Sequence, residues 1–153
     1  MYETVHAKGG ESALKREISI LQRCQHPNII HLRGIVVNEQ NNVEGMLLEY
    51  IPQAITLRDF DGCLCSDQHA RLWVSQFQSA LEYLHSQKMV WGDAKPDNIL
   101  VREDGDLVLV DFAGGATDGW VDWKVMDTLE GDLQASPRIE EFILEKAKDS
   151  ERK

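Results

Sequence analysis

The amino-acid sequence predicts an α+β fold, and two kinds of observation carry that prediction. Three segments repeat apolar residues at helical spacing, and two pairs of short, β-branched runs are separated by turn residues. Ser12 is a suitable N-cap, and Leu14, Ile18 and Leu21 follow on one face. Residues 13–24 therefore read as an amphipathic helix, closed by Pro27. Ile29 to Val37 is an apolar strand, Asn38 to Asn42 a turn, and Val43 to Tyr50 the returning strand of an antiparallel hairpin, which ends before Pro52. A second helix runs from Asp67 to about His85, with Leu72, Phe77, Ala80, Leu81 and Leu84 on its apolar face. After an irregular piece from Val90 to Asp97 come Ile99 to Val101 and Leu107 to Val110. Asp104-Gly105 lies between them as the hairpin signal. Ser136 as N-cap, Pro137 at the first helical position, and Ile139, Phe142, Ile143 and Ala147 describe a third helix. Its end, Lys148 to Lys153, is charged and expected to fray.

Composition narrows the function. The chain has 153 residues, 42% of them apolar and 27% charged, which suits one globular domain and excludes a disordered or low-complexity chain. No apolar run approaches the roughly 18 residues a membrane span needs. The first ten residues lack the basic flank and apolar stretch of a signal peptide, so the expected location is cytoplasmic. The net charge of −10 is concentrated late: residues 91–153 hold sixteen acidic against eight basic side chains. Such a chain repels nucleic acid and anionic membranes, and neither is an expected partner. The late carboxylates could hold a cation, although the run from Asp118 to Asp132 reads first as solvated surface. Cys24, Cys63 and Cys65 are odd in number and show no C-x-x-C spacing, so reduced thiols are expected rather than a disulfide framework or zinc site. Oligomeric state is not legible.

Chemistry concentrates at Asp93, Lys95, Asn98 and Asp111: an acid, a cation and an amide in one loop, and an acid after the following hairpin. Phosphoryl transfer uses such a set. One carboxylate orients the attacking hydroxyl, an ammonium offsets charge on the phosphoryl group, and oxygen donors hold Mg²⁺ against nucleotide phosphates. The segment Trp91-Gly92-Asp93-Ala94-Lys95-Pro96-Asp97-Asn98 resembles the H-R-D-x-K-P-x-N catalytic loop of protein kinases, and Asp111-Phe112-Ala113 resembles their D-F-G at the family's separation. Upstream, Glu17-Ile18-Ser19-Ile20-Leu21 and His26-Pro27-Asn28-Ile29-Ile30 look like the family's C helix and the strand after it. Met46-Leu47-Leu48-Glu49-Tyr50 looks like the strand that runs into the hinge, and Gln76 to His85 like the long helix of the larger lobe. The resemblance covers residues 11–115.

It implies a protein kinase-like fold in incomplete form. Residues 1–51 would be a partial N-lobe, and 52–153 a partial C-lobe. It implies ATP and Mg²⁺ as cofactors and a protein with Ser or Thr hydroxyls as substrate, since Lys95 and Pro96 match the Ser/Thr type. By resemblance, Asp93 and Lys95 would be catalytic, and Asn98 and Asp111 would bind the metal. Glu17 would pair with the family's strand-borne lysine, and Leu48 would be the gatekeeper. Glu49 and Ile51 would offer backbone groups to adenine, Leu100 would lie beneath the ring, and Leu21, Leu32, Trp91 and Phe112 would stack between the lobes.

Four departures stand beside the resemblance. There is no G-x-G-x-x-G loop, and Met1 stands about where the lysine-bearing strand should be ending; Lys8, in Val5-His6-Ala7-Lys8, precedes Glu17 by only nine residues. Gly92 replaces the H-R-D arginine, which argues against switching by phosphorylation of the following loop. Ala113 replaces the D-F-G glycine, at an expected cost in backbone freedom. Finally, A-P-E has no counterpart. Three functions stay open: a Ser/Thr-type kinase whose short chain works poorly, a pseudokinase acting as a binding module, and a small-molecule phosphotransferase of the aminoglycoside type, suggested by Gly92-Asp93.

Overall fold

Gly10 sets where the first helix begins. Its φ of 89° suits glycine far better than any residue with a side chain, and α1 (Glu11–Leu21) starts directly after it. Ser12 is therefore inside the helix and caps nothing, contrary to the sequence expectation. The helix also stops earlier than residue 24, because Arg23 N–H and Cys24 N–H bond to the carbonyls of Ile20 and Leu21 and tighten the chain. The computed structural model describes residues 2–6 and 10–151, with side chains from residue 10 to residue 149. Lys8 lies outside the described residues.

β1 (Tyr2–His6), β2 (Leu32–Val37) and β3 (Val43–Glu49) form one antiparallel sheet in the order β1-β3-β2, with Tyr2 opposite Glu49 and His6 opposite Gly45. The β2–β3 hairpin is the one expected, but β2 is shorter than the apolar run. Ile29 and Ile30 leave it for the second sheet: Ile29 bridges Leu109, and Ile30 N–H donates to the Leu109 carbonyl. Both isoleucines are buried there. Two register irregularities interrupt β2, between Leu32 and Gly34 and between Val36 and Val37.

The second sheet has the order β4-β5-β6, from β4 (Ile55–Thr56), β5 (Ile99–Val101) and β6 (Leu107–Leu109). β5 and β6 are the expected hairpin, whereas the two residues of β4 are too few to show a period. Gly105, at φ 93°, makes the turn between them. Across it packs α2 (Asp67–Ser86), capped by Ser66, whose hydroxyl accepts from His69 N–H. Leu72 does not face the core as expected: it is 45% exposed, and its neighbour Trp73 is buried instead. The indole N–H of Trp73 reaches the Gly105 carbonyl at 2.6 Å, so the larger ring also gains a polar partner.

α3 (Leu129–Glu151) begins well before Ser136. Thr128 is the cap, its hydroxyl accepting from Gly131 N–H at 3.2 Å. Pro137 then lies inside the helix. The carbonyl four residues earlier, at Leu133, loses its helical partner, but Leu133 is 54% exposed and water can serve it. Ser136 donates to Glu140 instead of capping. Ile139, Ile143 and Ala147 are buried as expected, with Phe142 packed beside them. The two sheets and three helices share one apolar core, in which Trp73, Phe77, Trp91 and Phe112 are the largest buried side chains. Among the described residues, no helix is long and apolar enough to cross a membrane.

Candidate active site

A cavity of about 390 Å³ opens between the sheets. Its apolar walls are Leu14 of α1, Ile30, Met46, Leu48, Ile51, Ala54 and Leu100, and its polar groups include Glu17, Glu49 and Asp111. This combination of apolar walls and a few convergent polar groups suits a small-molecule ligand. Six of the residues singled out from sequence thus line one space: Glu17, Leu48, Glu49, Ile51, Leu100 and Asp111. Asp93, Lys95 and Asn98 do not line it. Val110 N–H donates to the Asn98 carbonyl at 2.9 Å, which fastens the loop to the residue before Asp111.

Within that loop, Asp93 is oriented from three sides. The Lys95 ammonium meets its Oδ2 at 2.8 Å, and the Thr117 hydroxyl donates to its Oδ1 at 2.7 Å. The Asn98 amide donates to its backbone carbonyl at 2.8 Å. Lys95 also donates to Thr117 Oγ1 at 2.9 Å, closing a three-residue ring of acid, cation and hydroxyl. Thr117 was not foreseen. It lies 24 residues from Asp93, in a stretch without periodicity.

At the other end, Glu17 is buried on α1 and its Oε1 accepts from Phe112 N–H at 3.0 Å. Burial pushes its carboxyl above the ordinary range, and nearby Asp111 adds to this. The Phe112 amide and Arg16 act in the opposite direction. Asp111 takes φ 61°, and Gly114 and Gly115 take φ 91° and 123°. Ala113 has no positive φ, so the expected cost of replacing that glycine does not arise; the chain turns at its neighbours instead. Phe112 and Trp91 are fully buried with ring centroids 6.5 Å apart, and Leu21 is buried in the same core. Leu32 is only partly buried against it.

Glu49 borders the cavity with its carboxylate already engaged by neighbouring side chains. Its oxygens meet Arg102 at 2.9 Å and His31 at 3.3 Å. Burial alone would raise its pKa, but Arg102 and His31 outweigh that and hold it below the usual value.

Asp132 is the exception in the acidic run, whose other members Asp118, Asp122, Asp127 and Glu130 are exposed as expected. It is fully buried, and its Oδ2 accepts from Trp91 N–H at 2.8 Å and meets His85 Nε2 at 2.9 Å; its Oδ1 accepts from Gly92 N–H at 2.9 Å. The backbone just before Asp93 thus hangs on one carboxylate. One signal was available: Asp132, Ala135, Ile139 and Ile143 share a helical stripe, and a carboxylate on an apolar stripe is buried. Arg16, whose guanidinium reaches the carbonyls of Val90 and Trp91 at 3.2 and 3.4 Å and also that of Phe112, gave no comparable signal. Among the described residues, no group of three or more His, Cys, Asp or Glu side chains could hold a metal by itself.

The protein kinase domain family profile matches residues 2–130. Aurora kinase A-A of Xenopus laevis is 34% identical over 105 residues, covering 68% of this chain and 25% of the Xenopus protein. The serine/threonine-protein kinase OXI1 of Arabidopsis thaliana is 34% identical over 99 residues, covering 63% and 23%. The serine/threonine-protein kinase stk11 of Xenopus laevis is 34% identical over 117 residues, covering 67% and 24%. The matched region therefore spans about a quarter of the length of these relatives. With the family profile extending over most of its residues, the chain belongs to the protein kinase domain family.

Proposed function

We propose that this chain binds ATP in the cavity between its sheets and transfers the γ-phosphoryl group to a Ser or Thr hydroxyl of a protein substrate. The observation that carries the reading is the hydrogen-bonded set of Asp93, Lys95 and Thr117, joined through Asn98 to the segment that ends in Asp111. Asp93 accepts the hydroxyl proton as the substrate oxygen bonds to phosphorus and the bond to the leaving ADP breaks. Thr117 and Lys95 fix the orientation of its carboxylate, and Lys95 also offsets charge on the phosphoryl oxygens. The adenine ring takes the apolar walls, with the Glu49 carbonyl and Ile51 N–H as its polar contacts and Leu100 beneath it. Residues 1–51 and 52–153 act as two partial lobes around this ligand.

The Asn98 amide oxygen and the Asp111 carboxylate are hard oxygen donors, too few to retain Mg²⁺ unaided but suited to it once phosphate oxygens complete the shell. These two residues would hold the ion, which when bound draws charge from the phosphates.

A second reading, a pseudokinase that binds without turnover, is favoured by one observation. Among the described residues, no Lys or Arg forms an ion pair with Glu17. Misaligned phosphates can cost on the order of a hundredfold in rate, so transfer by this chain should be slow. Labelled ATP, Mg²⁺ and a generic Ser/Thr-rich protein separate the readings. Slow labelling that Asp93→Asn abolishes supports the kinase. A rise in melting temperature with ATP and Mg²⁺ but no labelling supports the binding module. Neither effect would overturn both.

A further inference from the structure

The family's loop arginine is replaced by Gly92, and the space that side chain would leave is filled from elsewhere. At φ 104°, Gly92 adopts a conformation that disfavours any side chain. A Cβ there would lie 2.9 Å from Asp127 Oδ1, 3.0 Å from Gly114 Cα and 3.3 Å from Arg16 Nη2. The Asp127 carboxylate meanwhile accepts from Gly115 N–H at 2.8 Å. A guanidinium from α1 and a carboxylate from the segment before α3 therefore each approach a backbone with no side chain of its own.

Arg16 and Glu17 are consecutive on α1, and between them they hold both polar groups of one residue. Glu17 accepts from Phe112 N–H, and Arg16 donates to the Phe112 carbonyl. The same guanidinium reaches the carbonyls of Val90 and Trp91, three and two residues before Asp93. A planar guanidinium with five N–H donors can serve three carbonyls at once, whereas an ammonium is a single point of attachment. Asp111 lies one peptide bond from this clamp, in the left-handed conformation that its neighbour must be held still to maintain.

We propose that Arg16 is a positioning residue: acting through the Phe112 peptide, it aims Asp111 into the cavity and ties that aim to the loop carrying Asp93, with Gly92 leaving the room it needs. The orientation of Asp111 is thereby set by α1 and does not require a phosphate on the loop after it. The inference deepens the phosphoryl-transfer reading and rests on it for one of two measurements.

The first measurement needs no ligand: hydrogen exchange in the 153-residue chain, wild type and Arg16→Ala. Exchange at residues 112–115 should rise roughly tenfold or more, as losing hydrogen bonds from a charged donor implies. The Leu109 amide, bonded to the Asn28 carbonyl, should be unchanged. The second is nucleotide affinity with Mg²⁺ and with EDTA. Arg16→Ala should shrink the Mg²⁺-dependent gain roughly tenfold, leave the Mg²⁺-free affinity intact, and be partly rescued by Arg16→Lys. Unchanged exchange at Phe112, or an equal rise at Leu109, overturns the proposal, since the latter marks a merely structural role. If wild type shows no Mg²⁺-dependent gain, the phosphoryl-transfer reading fails while exchange still decides the role of Arg16. If Arg16→Ala does not fold, Arg16→Lys, which reaches fewer carbonyls, carries the same exchange test.

Discussion

Asp132 offers the sharpest test of how the loop before Asp93 is held. Replacing it with alanine removes the acceptor for two backbone donors, Trp91 N–H at 2.8 Å and Gly92 N–H at 2.9 Å, and strands His85. Trp91, Gly92 and Asp132 are all buried, so water cannot replace the lost partner without opening the core. An unsatisfied buried donor costs about 1–3 kcal/mol, and breaking a buried charged contact about 3–5 kcal/mol in total. Asp132→Ala should therefore lose about 3–5 kcal/mol, a large share of the roughly 5–15 kcal/mol a domain possesses. Asp132→Asn is gentler. The two N–H groups bond to different oxygens, so the amide can serve one and sets its NH₂ against the other, at about 1–3 kcal/mol. Urea unfolding followed by tryptophan fluorescence reads both values, because Trp73 and Trp91 leave the core together. A loss below about 1 kcal/mol for Asp132→Ala would refute the idea that this carboxylate suspends the loop.

Glu17→Gln should raise the melting temperature of the nucleotide-free chain at neutral pH while keeping the acceptor for Phe112 N–H. The raised pKa of Glu17 makes its ionised form a burden on the fold, one that lifts as pH falls from the folded pKa toward the ordinary value. A thermal-shift series from pH 8 to pH 4 should show the two proteins converging as pH nears the ordinary carboxylate value, and divergence on acidification would contradict the assignment. Glu49 has the opposite sign. Its lowered pKa contributes stability above the ordinary carboxylate value, which is lost as pH falls through the folded one. Arg102→Gln should accordingly be destabilised relative to wild type near pH 7, and progressively less so as pH falls below the ordinary carboxylate value, as read by urea midpoints. Among the thiols, Cys63 should react first with iodoacetamide at pH 8. Burial pushes Cys24 up to about 11 and raises Cys65, whereas Cys63 is only partly covered. Mass spectrometry of partly labelled chain reads the order.

What was legible in the sequence follows from how far apart the interacting residues lie. The loop from Trp91 to Asn98, the β5–β6 hairpin and Asp111 form one local stretch, in which spacing alone carries the information. Contacts made across the fold leave no such trace. Thr117 is 24 residues from Asp93, Asp132 is 41 from Trp91, and Arg16 is 96 from Phe112. The helix misreadings have a local cause. Leu72 and Trp73 are adjacent and both apolar, and the choice was made by a hydrogen bond to Gly105 that only the turn between β5 and β6 supplies. Ser136-Pro137 has the form of a helix start, but Thr128 had already capped the helix eight residues earlier. Propensity proposes such a site, and an upstream cap with a buried stripe overrides it.

The outer margin of the first sheet sets how this protein will behave in concentrated solution. Among the described residues β2 pairs with β3 and with no other strand, so it forms the edge of that sheet, with Ile35 and Val37 at 44% and 50% exposure. A flat margin of that kind templates the addition of a further strand from another molecule, which is the first step toward fibrous self-association. The irregularities between Leu32 and Gly34 and between Val36 and Val37 break the spacing of backbone groups at both ends of the strand, and Arg33 adds a charge that an incoming copy would have to bury. Colloidal tolerance in this molecule thus depends on two misaligned residue pairs and one arginine, and a substitution that regularised β2 would be paid for in aggregation well before it was noticed in the cleft.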